Sequence, residues 1–190
     1  GASIGGYNNP SAEWIIIVFM LLSGMSFPLI WLGLTRHPRE IIRDGEFRFY
    51  FLCMSFGAVG VAILLAGGIP DLEHLRIGFF QSASLISSTG FASVDYAQAP
   101  WTDGMRILLL FVMFIGGCAG SAAGGPKAIR NLLSLKFMWR EFTRVLHPRG
   151  VIPLRHRGNA VPDDAMRAIL NLVLSYLVLY FVVGSVVVLL

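Results

Sequence analysis

Four long stretches of the chain carry no charged side chain: residues 14–34, 49–69, 107–126 and 168–190. They are 21, 21, 20 and 23 residues long. A helix needs about 20 apolar residues to cross the hydrocarbon core of a bilayer, so each stretch is expected to span. A fifth charge-free stretch, 77–94, has a different character and reads IGFFQSASLISSTGFASV. It mixes large apolar residues with Gln81, Ser82, Ser84, Ser87, Ser88, Thr89, Ser93 and two glycines, Gly78 and Gly90. The pattern predicts an all-α integral membrane fold. Four transmembrane helices are joined by one re-entrant pore helix and loop.

Charge decides whether the fifth stretch crosses. Of the 15 Lys and Arg residues, 13 lie in two segments. One holds Arg36, Arg39, Arg43 and Arg48, and the other runs from Lys127 through Arg130, Lys136, Arg140, Arg144, Arg149, Arg155 and Arg157 to Arg167. Basic loops of a membrane protein face the cytoplasm, which accounts for them better than nucleic-acid or lipid binding. A fifth crossing would put the two clusters on opposite sides. A stretch that enters and returns puts both inside, with a net charge of +7 there and −3 outside. Residues 71–86 then suit a short helix descending from outside, and 87–92 an extended return. Irregular backbone at that depth survives only inside protein or along a water-filled cavity.

The third span ends in GGCAGSAAGGP, residues 116–126. Glycine weakens a helix and proline breaks it, so an interruption within the membrane is expected. The alternative is close helix packing, because Gly116/Gly120 and Gly120/Gly124 fit the GxxxG spacing; eleven small residues ending in proline exceed that need. Gly24 and Pro28 are candidates to kink the first span. Cys53 and Cys118 lie inside spans without partners at a metal or disulfide spacing and read as small apolar fillers. The chain opens on Gly1 and ends within a span, as expected of a piece of a longer protein.

Ser88, Thr89, Gly90 and Phe91 fall where the pore helix should end. A dehydrated cation needs oxygens in place of water, and inward-pointing carbonyls of an extended strand supply them. Glycine permits the required backbone, threonine adds a hydroxyl, and the helix C-terminus brings partial negative charge. The other reading of these four residues is an ordinary Ser/Thr/Gly turn.

SSTGF followed by LLLFVMFIGGCAGSAAGGPKAIR resembles the third pore unit of the Trk/Ktr potassium transporter family. WIIIVFMLLSGMSF followed by DGEFRFY resembles the helix closing that family's second unit and the linker into the third. VLHPRGVIPLRHRG resembles its link to the fourth. The likeness covers nearly the whole chain. It implies four pore units in one chain around a central pore, and potassium, with sodium as the lesser alternative, held at Ser88, Thr89, Gly90 and Phe91. It implies a gating loop beneath, carried by Gly116, Gly117, Gly120, Ser121, Gly124, Gly125 and Lys127. It further implies a multi-pass protein of the bacterial inner membrane, homodimeric at full length, with a cytoplasmic nucleotide-binding regulatory subunit near residues 130–157. Membrane lipid is the remaining partner; no nucleic acid and no cofactor is expected. Ala122 and Pro126 depart from the family loop, which commonly has threonine and a branched apolar residue there. Lys127 is either a cation near the ion path or a side chain snorkelling at a helix end.

The expected division is 1–48, closing helix and linker; 49–130, a complete membrane–pore–membrane unit; 131–167, a basic cytoplasmic loop; and 168–190, the first helix of the next unit. An enzyme is not expected. Residues 120–127 miss the phosphate-loop pattern, with Pro126 intruding and Ala128 in place of Ser or Thr. His37, His74, His147 and His156 all lie outside the spans, which removes an intramembrane serine hydrolase. Two other classes remain: a transporter of another solute, and a membrane scaffold whose polar loop only packs.

Overall fold

The computed structural model describes residues 3–7, 9–35, 38–95, 101–146, 155–156 and 159–189. Arg36, His37, His147, Arg149, Arg157 and most of VLHPRGVIPLRHRG lie outside the described residues. Two compact units divide the chain, Gly1–Ala128 and Ile129–Leu190.

The first unit opens with a 3₁₀ turn, Ser3–Tyr7, followed by helices α1 (Pro10–Ser23), α2 (Phe27–Thr35), α3 (Pro38–Arg43), α4 (Gly45–Ala66), α5 (Leu72–Ile86) and α6 (Asp103–Ile115). Local chemistry sets the starts. Asn9 accepts hydrogen bonds from Ser11 and Ala12 N–H ahead of a proline at the first turn of α1. Asp44 caps α4 through Phe47 N–H at 2.9 Å, and Asp71 caps α5 through His74 N–H at 2.9 Å. Such caps satisfy orphan donors of the first turn. Gly67 ends α4 in the left-handed conformation at φ 63°.

Helix α5 is the buried centre of this unit. It packs against α1, α4 and α6, and Gly78, Phe80, Gln81, Ser82, Ala83, Ser84 and Ile86 are all buried. Ile17 and Met20 of α1, Tyr50 and Met54 of α4, Phe80, Ala83 and Ile86 of α5, and Val112 of α6 form the main apolar cluster. A second cluster joins Val61, Trp101, Met105 and Leu109. One ion pair clips α5 to α1: Arg76 Nε lies 3.3 Å from the buried Glu13 carboxylate.

The spans differ from four uniform rods. Among the described residues α4 and α8 (Asp163–Leu189) are each long and apolar enough to cross a membrane. Stretch 14–34 is instead a pair of helices, α1 and α2, bent by 106°. The break falls at residues 24–26, between Gly24 and Pro28, where a stronger disruption than a kink has occurred. Helix α6 has 13 residues, about 20 Å at helical rise, too short to cross alone. It stops at Gly116, and residues 116–127 are not helical. The chain is therefore interrupted here, and the GxxxG packing reading does not apply.

The second unit contains most of α7 (Ala128–Leu146), a strand pair Arg155–His156 (β1) and Asn159–Ala160 (β2), and α8. The strands are antiparallel, with Arg155 opposite Ala160. Leu133 of α7 and Met166 of α8 are buried together with Ile129, Phe137, Val161 and Ile169 around them. Arg140 donates to Asp163 at 2.9 Å and lies over the Phe137 ring. Much of the basic segment 131–167 is thus helix rather than irregular loop.

Candidate functional site

The end of α5 governs the backbone that follows. Thr89 N–H donates to Ser84 C=O at 2.9 Å and Ser88 N–H to Leu85 C=O at 3.2 Å. Together with Ser88 at φ 58°, these bonds make the reversing cap that ordinarily uses glycine at its left-handed position. A serine there carries strain, since Cβ crowds the following carbonyl. Gly90 follows at φ 78° with nothing within 4 Å of a Cβ. Residues 88–91 are therefore not a plain extended strand. They form a turn followed by an ascending segment.

That segment is tied to α5 from behind. Ser84 Oγ donates to Phe91 C=O at 2.6 Å. Ser87 Oγ and Thr89 Oγ1 share a 2.7 Å hydrogen bond. Gln81 Nε2 donates to Val94 C=O at 3.3 Å. On the far side, Ala92 N–H donates to Ser3 Oγ, and Ala92 C=O accepts from Gly5 N–H, both at 3.1 Å. Among the described residues nothing donates to the carbonyls of Ser88, Thr89 and Gly90. Three consecutive oxygens are left available just beyond a helix C-terminus, whose dipole favours positive charge. Phe91 differs from the other three, because its carbonyl is engaged by Ser84.

Loop 116–127 is held by hydrogen bonds to the break between α1 and α2. Cys118 N–H donates to Gly24 C=O at 2.9 Å, Ala122 N–H to Ser23 C=O at 3.2 Å, and Phe27 N–H to Gly120 C=O at 3.0 Å. Two interruptions of helix thus satisfy one another's backbone. Within the loop, Ser121 Oγ donates to Cys118 C=O at 2.6 Å, and Ala128 N–H closes onto Gly117 C=O at 2.8 Å. Gly116 and Gly125 take φ of 71° and 83°. Lys127 turns its ammonium back onto Ala123 C=O at 2.7 Å. It therefore staples its own loop, a role neither sequence reading of Lys127 contains. Gly124 N–H donates to Ser88 Oγ at 3.1 Å, joining the loop to the segment after α5.

Sequence reasoning missed three contributors. Glu46, read as part of the cytoplasmic linker, is buried at the start of α4 and accepts from Ala119 N–H. Ser84 and Gln81 appeared only as polar members of a short helix. Their 81/84/87 spacing, one face of a helix, was the available signal.

A buried helix α5, three open carbonyls past its end and a broken helix hydrogen-bonded to a second one belong to an all-helical chain with two helices, or three if the bent pair is one span, long and apolar enough to cross a membrane. The whole chain, residues 1–190, matches the TrkH cation transport protein family, and it belongs to that family. It is 32% identical over 183 residues to the Trk system potassium uptake protein TrkH of Halomonas elongata, covering 95% of this chain and 38% of that one. It is 34% identical over 181 residues to the Trk system potassium uptake protein TrkG of Escherichia coli, covering 92% and 36%. The crystal structure of the potassium transporter TrkH from Vibrio parahaemolyticus superposes with a TM-score of 0.81 at 31% identity, covering 90% of this chain and 37% of that one. The chain thus spans well under half the length of these relatives.

Proposed function

We propose that this chain is one pore unit, with flanking helices, of a bacterial inner-membrane protein that takes up potassium. The observation that carries the reading is the row of open carbonyls at Ser88, Thr89 and Gly90, set just past the C-terminus of the buried α5. Such oxygens replace the hydration shell of a dehydrated cation. Names of the relatives, all Trk potassium uptake proteins, point to K⁺ rather than Na⁺. In this reading the chain crosses four times, with α1–α2 and α6 with loop 116–127 as broken passes and α5 re-entrant. The unit corresponds to the third of four. One strand cannot enclose an ion, so conduction belongs to the full-length parent. Loop 116–127 obstructs the path beneath the carbonyls, and its bond to Ser88 brings it against them. Homodimerisation and a nucleotide-binding cytoplasmic subunit follow from the family likeness.

The test is potassium uptake by cells lacking their own uptake systems, expressing the full-length parent with and without Gly90→Ser. Rescue at low K⁺ by the parent, lost or made Na⁺-permissive by the variant, is expected. Unaltered rescue by the variant removes the ion-binding role from residues 88–91.

A further inference from the structure

We propose that Ser84 is a specificity-determining positioning residue, and that the polar face of α5 formed by Gln81, Ser84 and Ser87 fixes which carbonyls an ion meets. The proposal rests on the reading of residues 88–91 as the ion-binding segment and deepens it. Ser84 is fully buried and makes more of these contacts than any neighbour. Its hydroxyl donates to Phe91 C=O at 2.6 Å. Its own carbonyl accepts from Thr89 N–H at 2.9 Å and Gly90 N–H at 3.4 Å. One residue therefore grips the segment at both ends, bracketing the three open carbonyls between its two polar groups. Above it, Gln81 holds Val94 C=O at 3.3 Å. Below it, Ser87 holds the Thr89 hydroxyl at 2.7 Å.

The consequence concerns ligand number and spacing. A carbonyl committed to a hydroxyl 2.6 Å away faces its donor, so the segment offers three backbone oxygens where the sequence counts four. The grip also sets how far the ascending segment stands from α5, and so how far its oxygens reach. Discrimination between K⁺ and Na⁺ depends on the number and distance of oxygens. Without the grip on the Phe91 carbonyl, the loosened segment closes on a smaller ion. Ser84 touches no ion in this account and acts through Phe91.

The experiment uses the full-length parent, measuring K⁺ and Na⁺ uptake separately in cells lacking their own systems. Ser84→Ala is expected to lower the K⁺ over Na⁺ ratio by roughly two- to tenfold, the range for one ordinary hydrogen bond lost. Ser84→Thr, which keeps the hydroxyl, restores the ratio. If Ser84→Ala does not accumulate in the membrane, Ser84→Cys, near serine in size but a weak donor, carries the same test. A purely structural role lowers both fluxes together and leaves the ratio unchanged, and that result overturns the inference. Gly90→Ser serves as control. An altered ratio there with none in the Ser84 variants sinks the Ser84 assignment alone, whereas no alteration in either sinks the ion-binding reading beneath it.

Discussion

Replacing Gly116 with alanine should damage this protein more than the same change at Gly120 of the same loop, and the structure allows the difference to be sized. Gly116 sits at φ 71° and ψ −178°, a region essentially closed to residues with a Cβ; holding one there costs on the order of 1–3 kcal/mol. The new Cβ would also stand 2.8 Å from Gly124 O, 3.2 Å from Lys127 N and 3.3 Å from Gly125 Cα. All three are backbone, so no side chain can swing aside, and overpacking adds about 1–3 kcal/mol. The sum is roughly 2–6 kcal/mol against a whole-protein margin of about 5–15. Gly120 gives the comparison. Its φ is 73°, but a Cβ would meet only Ser26 Oγ at 3.6 Å and Pro28 Cδ at 3.8 Å. Left-handed strain alone remains, about 1–2 kcal/mol. Purified full-length parent carrying either change should be heated and the surviving monodisperse fraction read by size exclusion. Gly116→Ala should melt well below Gly120→Ala. Equal melting, or the reverse order, refutes the crowding between residue 116 and the 124–127 backbone.

Three further outcomes follow from single contacts. Ser88→Ala keeps the left-handed strain and loses the acceptor for Gly124 N–H, whereas Ser88→Gly loses the acceptor but relieves the strain, so alanine should melt lower, by about 1 kcal/mol. Glu46→Gln retains an oxygen for Ala119 N–H, so it should be milder than Glu46→Ala, which removes a part-buried hydrogen bond to a charged group at about 1.5–3 kcal/mol; limited proteolysis of the loop should rank them the same way. The backbone N–H of His74 holds the Asp71 carboxyl below its ordinary 3.8. A depressed acid stabilises above its unfolded pKa and loses that contribution as pH falls through the folded value. The melting advantage of the parent over Asp71→Asn should therefore be constant above about pH 5 and shrink on further acidification.

What could be read beforehand was whatever depends on composition over a whole segment. The short helix before SSTGF, its start near Asp71, and the stop of α6 in a run of glycines follow from charge-free length, capping chemistry and the helix cost of Gly and Pro. Structure that depends on a partner distant in sequence was not legible. Gly24 and Pro28 promised a kink, but the 106° break needs the carbonyls and N–H groups of residues 118–122 to satisfy it. Glu46 looks like any linker acid until Ala119 is placed against it. Among residues 88–91 the types suggested four equivalent carbonyls. The inequivalence of Phe91 comes from Ser84, seven residues back on another element, and from a left-handed serine where the motif led one to expect extended backbone.

The paired breaks have a consequence for biosynthesis. The bend between α1 and α2 presents bare backbone groups whose partners are translated only after α3, α4, α5 and α6 have been made. When residues 10–35 first reach the bilayer, no residue of loop 116–127 exists to receive them. A continuous helix is then the conformation that leaves fewest polar backbone groups exposed to lipid, with Pro28 costing it one bond, and stretch 14–34 is apolar enough to enter that way. On the proposed four-pass reading, the bend forms afterwards, when α6 inserts and its glycine tail arrives. Membrane insertion and final folding of the first helix are therefore separate events, with the loop acting as the template that converts one into the other.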